Sequence, residues 1–120
     1  MHELAITQSI LEIAVRHAEA AHARQITELH IVIGALSSMI DDSVQFYWDI
    51  VSQNTVAEGA NLNFHRIPAE MLCSNCSHRY ALKPDQFACP VCGSTESVLV
   101  AGEEFYLESI EVQPSEEVTT

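Results

Sequence analysis

Positive charge is what this sequence has least of. Five Lys+Arg stand against 17 Asp+Glu in 120 residues, a formal net charge of −12 with the six histidines neutral. A surface this acidic repels phosphate backbones, which argues against nucleic acid and anionic membrane as partners. It suits metal cations or a basic protein instead. Long apolar runs are also missing; none approaches the about 20 residues that a membrane span needs. The opening MHELAITQSI has no basic stretch followed by an apolar one, so no secretory signal is expected. The expected compartment is the cytoplasm, where thiols stay reduced. There are only 4 glycines and no glycine-rich phosphate loop. No Ser/His/Asp or Cys/His constellation stands outside one cysteine-rich stretch, so no enzyme is expected. There is no internal repeat beyond two cysteine pairs, and no low-complexity segment.

What is present is enough to fold. Hydrophobic residues make up 48% and charged ones 18%, which argues against disorder throughout. The length fits one ordinary domain, or one carrying a small insert. Ile6, Ile10, Ile13, Ala14, His17, Ala18 and Ala21 recur three and four apart and predict a helix over 4–23. A β-branched run over 26–34 predicts a strand, with Leu29, Ile31 and Ile33 on one face and His30 and Val32 on the other. Asp41, Asp42 and Ser43 offer a cap and favourable charge to a second helix over 43–53. Its buried stripe is Val44, Tyr47, Trp48 and Val51, and Asn54 is a left-handed stop. Further strands are expected over 61–67 and 104–112. The expected fold class is α+β: a three-stranded sheet with two helices on one face, plus an inserted zinc-ribbon-like domain. Residues 1–68 and 104–113 would form the main domain, 69–103 the insert and 114–120 a flexible tail.

The insert holds all four cysteines, spaced Cys73-Ser-Asn-Cys76 and Cys89-Pro-Val-Cys92-Gly93. Two residues between thiolates allow a tight knuckle whose amides point at the sulfurs. Two knuckles brought together place four sulfurs at tetrahedral corners, and Zn(II) is the default occupant. A closed four-thiolate shell has no open position, so the site is structural, and metal binding supplies folding energy that the insert's few apolar residues cannot. CPVCG also looks like half of a rubredoxin site, which keeps redox-active iron as the alternative occupant. Ser77 stands where the first knuckle of that pattern has glycine. Two disulfides or four free thiols rank third in a chain that reads as cytosolic. His78 reads first as a solvated loop residue and second as a substitute ligand. His17, His22, His30 and His65 read as packing or surface residues, Trp48 and Tyr47 as core. A zinc-ribbon adaptor for nucleic acid would need a basic, aromatic-studded face; the insert offers Arg79 and Lys83.

The first three residues are Met-His-Glu. The large His2 preserves the initiator methionine from removal. The Met1 amine, nearby main-chain nitrogens and the His2 imidazole can close chelate rings round one ion, and a flat nitrogen-rich set suits Ni(II) or Cu(II). MHELAITQSI, LHIVIGALSSM, NTVAEGANL, the two CxxC pairs with CPVCGS and a final IEV strand, in that order, resemble the HypA/HybF family of hydrogenase maturation nickel metallochaperones. The resemblance spans Met1 to about Val112. It implies transient nickel cargo on Met1, His2 and Glu3, with Glu3 acting through its main chain or its side chain. It implies structural zinc on Cys73, Cys76, Cys89 and Cys92. It also implies delivery to the large subunit of [NiFe]-hydrogenase with a HypB-type GTPase as partner; a homodimer is compatible with it. Asn54 stands where the family commonly has glycine, and Asn tolerates positive φ. Gly93 replaces a histidine that some relatives carry after the second pair.

Overall fold

The structure is a computed structural model and describes residues 2–39 and 41–114, with the backbone alone at His2. Eight elements follow in order: α1 His2–Ala20, β1 Ala23–Gly34, α2 Asp41–Val51, β2 Asn61–Ile67, β3 Glu70–Cys73, β4 Arg79–Ala81, β5 Ser97–Ala101 and β6 Phe105–Pro114. They make an α+β fold with two three-stranded sheets, ordered β2-β1-β6 and β4-β3-β5. The chain divides into two compact units. The first is Met1–Val32, Met39–His65 and Tyr106–Thr120; the second is Ile33–Ser38 and Arg66–Phe105.

In the first unit α1 packs against α2. The buried stripe of α1 is Thr7, Ile10, Ala14 and Ala18, a regular three-four-four spacing. Ile13, His17 and Ala21, which the sequence pattern put on that stripe, are exposed. Thr7 has no accessible surface, and its hydroxyl donates to the Glu3 carbonyl at 2.5 Å, so a polar side chain can sit in the core face. The helix ends earlier than expected because His22 takes the left-handed conformation (φ 55) and its N–H bonds the Glu19 carbonyl. A histidine is not the usual residue for that turn, so the pattern did not show it. On α2, Val44 and Trp48 are buried while Tyr47 and Val51 are half-covered. Asn54 is left-handed as expected (φ 66). Ile26, Leu29 and Ile31 of β1 are wholly buried.

The second unit differs most from expectation, because β3, β4 and β5 had no apolar periodicity to reveal them. β3 pairs antiparallel with β4 (Met71↔Tyr80) and with β5 (Leu72↔Val98). The register shifts between Glu70 and Met71, whose partners are Ala101 and Leu99, so Val100 lies in a bulge. Strands of three to five residues are too short for alternation to stand out.

The segment Gly34–Leu36 is laced into this unit by main-chain hydrogen bonds. The Gly34 N–H bonds the Glu104 carbonyl at 2.8 Å, Ala35 bonds Ile67 at 2.9 Å and Leu36 bonds Gly102 at 2.7 Å. A Cβ on Gly34 would lie 2.2 Å from the Gly102 carbonyl carbon and oxygen. Both neighbours are main chain, so neither can rotate away. Gly34→Ala is expected to cost at least about 3 kcal/mol, the upper end for overpacking. Urea unfolding measures it; a loss below about 1 kcal/mol would mean that the strands separate easily.

Candidate metal centre

The two cysteine knuckles are built alike. Cys73 N–H bonds the His78 carbonyl and Ser77 N–H bonds the Cys73 carbonyl, both at 2.9 Å. Cys89 N–H bonds the Ser94 carbonyl and Gly93 N–H bonds the Cys89 carbonyl, both again at 2.9 Å. The residue after each second cysteine is left-handed, Ser77 at φ 65 and Gly93 at φ 79. The first knuckle therefore adopts the glycine conformation without glycine, at the about 1–2 kcal/mol that a Cβ costs there. Inside each loop an amide aims at the leading sulfur: Asn75 N–H to Cys73 Sγ and Val91 N–H to Cys89 Sγ, each 3.4 Å.

The four sulfurs converge from the two loops and lie within 4.8 Å of one another. Cys73 Sγ is 3.5 Å from Cys92 Sγ, and Cys76 Sγ is 3.6 Å from Cys89 Sγ. A tetrahedral ion with bonds of about 2.3 Å needs sulfur–sulfur edges of about 3.8 Å, so the set fits zinc. A disulfide would need about 2.05 Å, and all four cysteines are free thiols. Cys73 and Cys89 are buried, whereas Cys76 and Cys92 face solvent.

The electrostatics of the four thiols favour a cation among them. The Asn75 carboxamide and the Ser94 N–H bring the Cys92 thiol down to about 6, against its burial. Burial opposes ionisation of Cys89, yet the N–H groups of Cys92 and Val91 lower it. At Cys76 the His78 backbone favours the thiolate, but burial and the three other thiols push it up to about 12. Sulfurs this close cannot all carry charge unless a cation stands among them. Asn75 was not legible as a site residue: its side chain also reaches Cys92 Sγ at 3.5 Å, bridging the loops. Its place inside the first CxxC was the available signal.

The buried cluster of this unit is Cys73, Tyr80 and Cys89, with Met71 packed against it. The Tyr80 hydroxyl donates to Ser97 Oγ at 2.8 Å. His78 is exposed, stacks on the Tyr80 ring at 6.3 Å and gives its carbonyl to the Cys73 N–H.

Of the residues expected to carry nickel, Met1 and the His2 side chain lie outside the described residues. Glu3 is in the first turn of α1, half-covered, its carbonyl held by Thr7. No helix among the described residues is long and apolar enough to cross a membrane.

A family model described as hydrogenase/urease nickel incorporation, metallochaperone, hypA matches residues 1–112. A hydrogenase maturation factor HypA of Dehalococcoides mccartyi is 45% identical over 112 residues, covering 93% of this chain and 94% of that protein. One from Caldanaerobacter subterraneus is 43% identical over 115 residues, covering 94% of this chain and all of that protein. A solution structure of a HypA protein superposes with a TM-score of 0.77 at 25% identity, over 96% of this chain and 98% of the other. The solution structure of the nickel metallochaperone HypA from Helicobacter pylori shares the fold, with a TM-score of 0.67 at 22% identity, over 94% and 98% of the two chains.

Proposed function

The chain belongs to the HypA family of hydrogenase maturation factors, nickel metallochaperones rather than enzymes, and from that premise we propose that it loads one Ni(II) on its first three residues and surrenders it to an apo [NiFe]-hydrogenase. The Met1 amine, the His2 imidazole and main-chain nitrogens of His2 and Glu3 are the ligands in this reading. The observation that carries it is the family match, which runs from residue 1 to 112 and so includes Met-His-Glu. The local structure supports it: α1 begins at His2, and the first N–H groups of any helix have no carbonyl of their own ladder to bond. Nitrogen donors can thus be recruited from the first turn without dismantling the helix.

Cargo and resident metal need different sites. Cys73, Cys76, Cys89 and Cys92 are the residues that would hold zinc. When bound, zinc supplies four thiolate bonds and offsets the charge that their mutual approach builds up. The chain itself contributes the knuckle amides and the Asn75 carboxamide, which stabilise the thiolates before any ion arrives. The terminal site is the opposite case. Its amine and imidazole must lose protons to bind, so falling pH releases nickel.

Delivery would be to the hydrogenase large subunit with a HypB-type GTPase, in the cytoplasm, where thiols stay reduced; a homodimer is compatible with the same ligand set. The test is elemental analysis of untagged protein before and after nickel titration. One zinc and one added nickel are expected. Adding Gly-Ser before Met1 moves the amine and is expected to remove that nickel while leaving the zinc. Iron in place of zinc, or unchanged nickel with the extension, would overturn the reading.

A further inference from the structure

Three side chains on the first unit's sheet form a connected group unused by the function above. His30 of the central strand β1, His65 of β2 and Glu111 of β6 come from three neighbouring strands. His30 Nδ1 is 2.9 Å from His65 Nε2, and His30 Nε2 is 2.7 Å from Glu111 Oε2. An ionised carboxylate can only accept, so His30 donates to Glu111 from Nε2. A neutral His30 then turns the lone pair of Nδ1 toward His65, which donates from Nε2. The sequence pattern had read both histidines as packing or surface residues.

We infer that His30 Nδ1 and His65 Nε2 form a second, weaker site for a divalent ion of the nickel–copper type, with Glu111 orienting His30 from behind. A carboxylate on the far nitrogen of a histidine is the common outer-shell support of a metal ligand. Two nitrogens each about 2.05 Å from one ion are about 2.9 Å apart at a right angle and about 3.3 Å apart at a tetrahedral angle. The observed 2.9 Å matches the right angle of square-planar or octahedral Ni(II) and Cu(II). The rings meet edge to edge, with centroids 5.1 Å apart and planes 24° apart, so a pivot of each ring aims both lone pairs at one point. The bridging proton moves to His65 Nδ1 and the ion takes its place. Glu28 lies near enough to His30 to feel its charge, but Asn63 and Asn61 hold its carboxylate at 2.8 and 3.1 Å and keep its carboxyl below the usual range. It therefore adds negative potential without competing for the imidazoles.

The experiment uses the full-length, zinc-loaded chain carrying His2→Ala, so that the terminus cannot bind. Equilibrium dialysis with Ni(II) is expected to show one weak equivalent. Adding His65→Ala should weaken it at least tenfold, and adding Glu111→Gln by about tenfold, the lower end for an outer-shell partner. In the His2→Ala chain with both imidazoles intact, the ring signals of His30 and His65 should shift or broaden together as nickel is added. Identical nickel uptake with and without His65, or ring signals that do not respond, would show a hydrogen-bonded pair only and overturn the inference. The terminal site is judged separately, by the difference between the natural chain and His2→Ala.

Discussion

Removing zinc is expected to unfold the unit that contains β3, β4 and β5. The reason is the composition of its interior. Two of the three residues in its buried cluster, Cys73 and Cys89, are themselves sulfur donors, and Tyr80 is the third. Without an ion the cluster must keep protons, and Cys76, up at about 12, keeps its proton at neutral pH. Structural zinc contributes about 10–16 kcal/mol to small domains of this kind, comparable to the net stability of a whole protein. A strong chelator, or Cys76→Ser, should therefore abolish the amide signals of residues 70–73, 79–81 and 97–101. Signals from α1 and α2, whose core is Ile10, Ala14, Ala18, Val44 and Trp48, should persist. Retention of the β3–β5 signals in metal-free protein would show that the short strands hold one another without the ion. His78→Ala gives the complementary result: zinc content should not change, because four sulfurs already close the shell.

The second large effect is at the terminus. His2→Ala should weaken the first nickel equivalent by at least ~100-fold, beyond the about 10–100-fold that loss of an outer-shell partner costs. That factor corresponds to about 2.7 kcal/mol. An imidazole and the chelate ring it closes disappear together, and methyl offers no donor. Zinc content and helical circular dichroism should stay as they were, since the substitution falls at the first residue of α1 and the buried stripe begins at Thr7. Nickel dialysis at fixed pH reads the change; an unaltered first equivalent rejects the ligand assignment. Glu3→Gln separates the two roles open to Glu3. Main-chain ligation predicts retained affinity, and side-chain ligation predicts a loss comparable to that of His2→Ala.

How far the sequence reaches differs from element to element. α1, α2, β1, β2 and β6 were legible because each has an apolar pattern long enough to repeat. Boundaries shifted where an unexpected residue turned the chain, as at His22, or where the strand ran on through Pro114. β3, β4 and β5 were not legible, because three to five residues hold too few apolar positions to define a period. Their pairing follows from closure of the two knuckles.

The residue types and spacings of the chain were by themselves enough to determine the four-sulfur chemistry, the acidic character and the family. Each depends on what a residue is and on how few residues separate it from the next. Tertiary structure alone decided that Asn75 reaches Cys92 across the two loops, that Gly34 must be glycine because Gly102 presses on it, and that His30, His65 and Glu111 meet. These contacts join positions 17 to 81 residues apart, and a separation of that size leaves no local periodicity to read; only the pairing of the strands and the docking of the loops bring the atoms together.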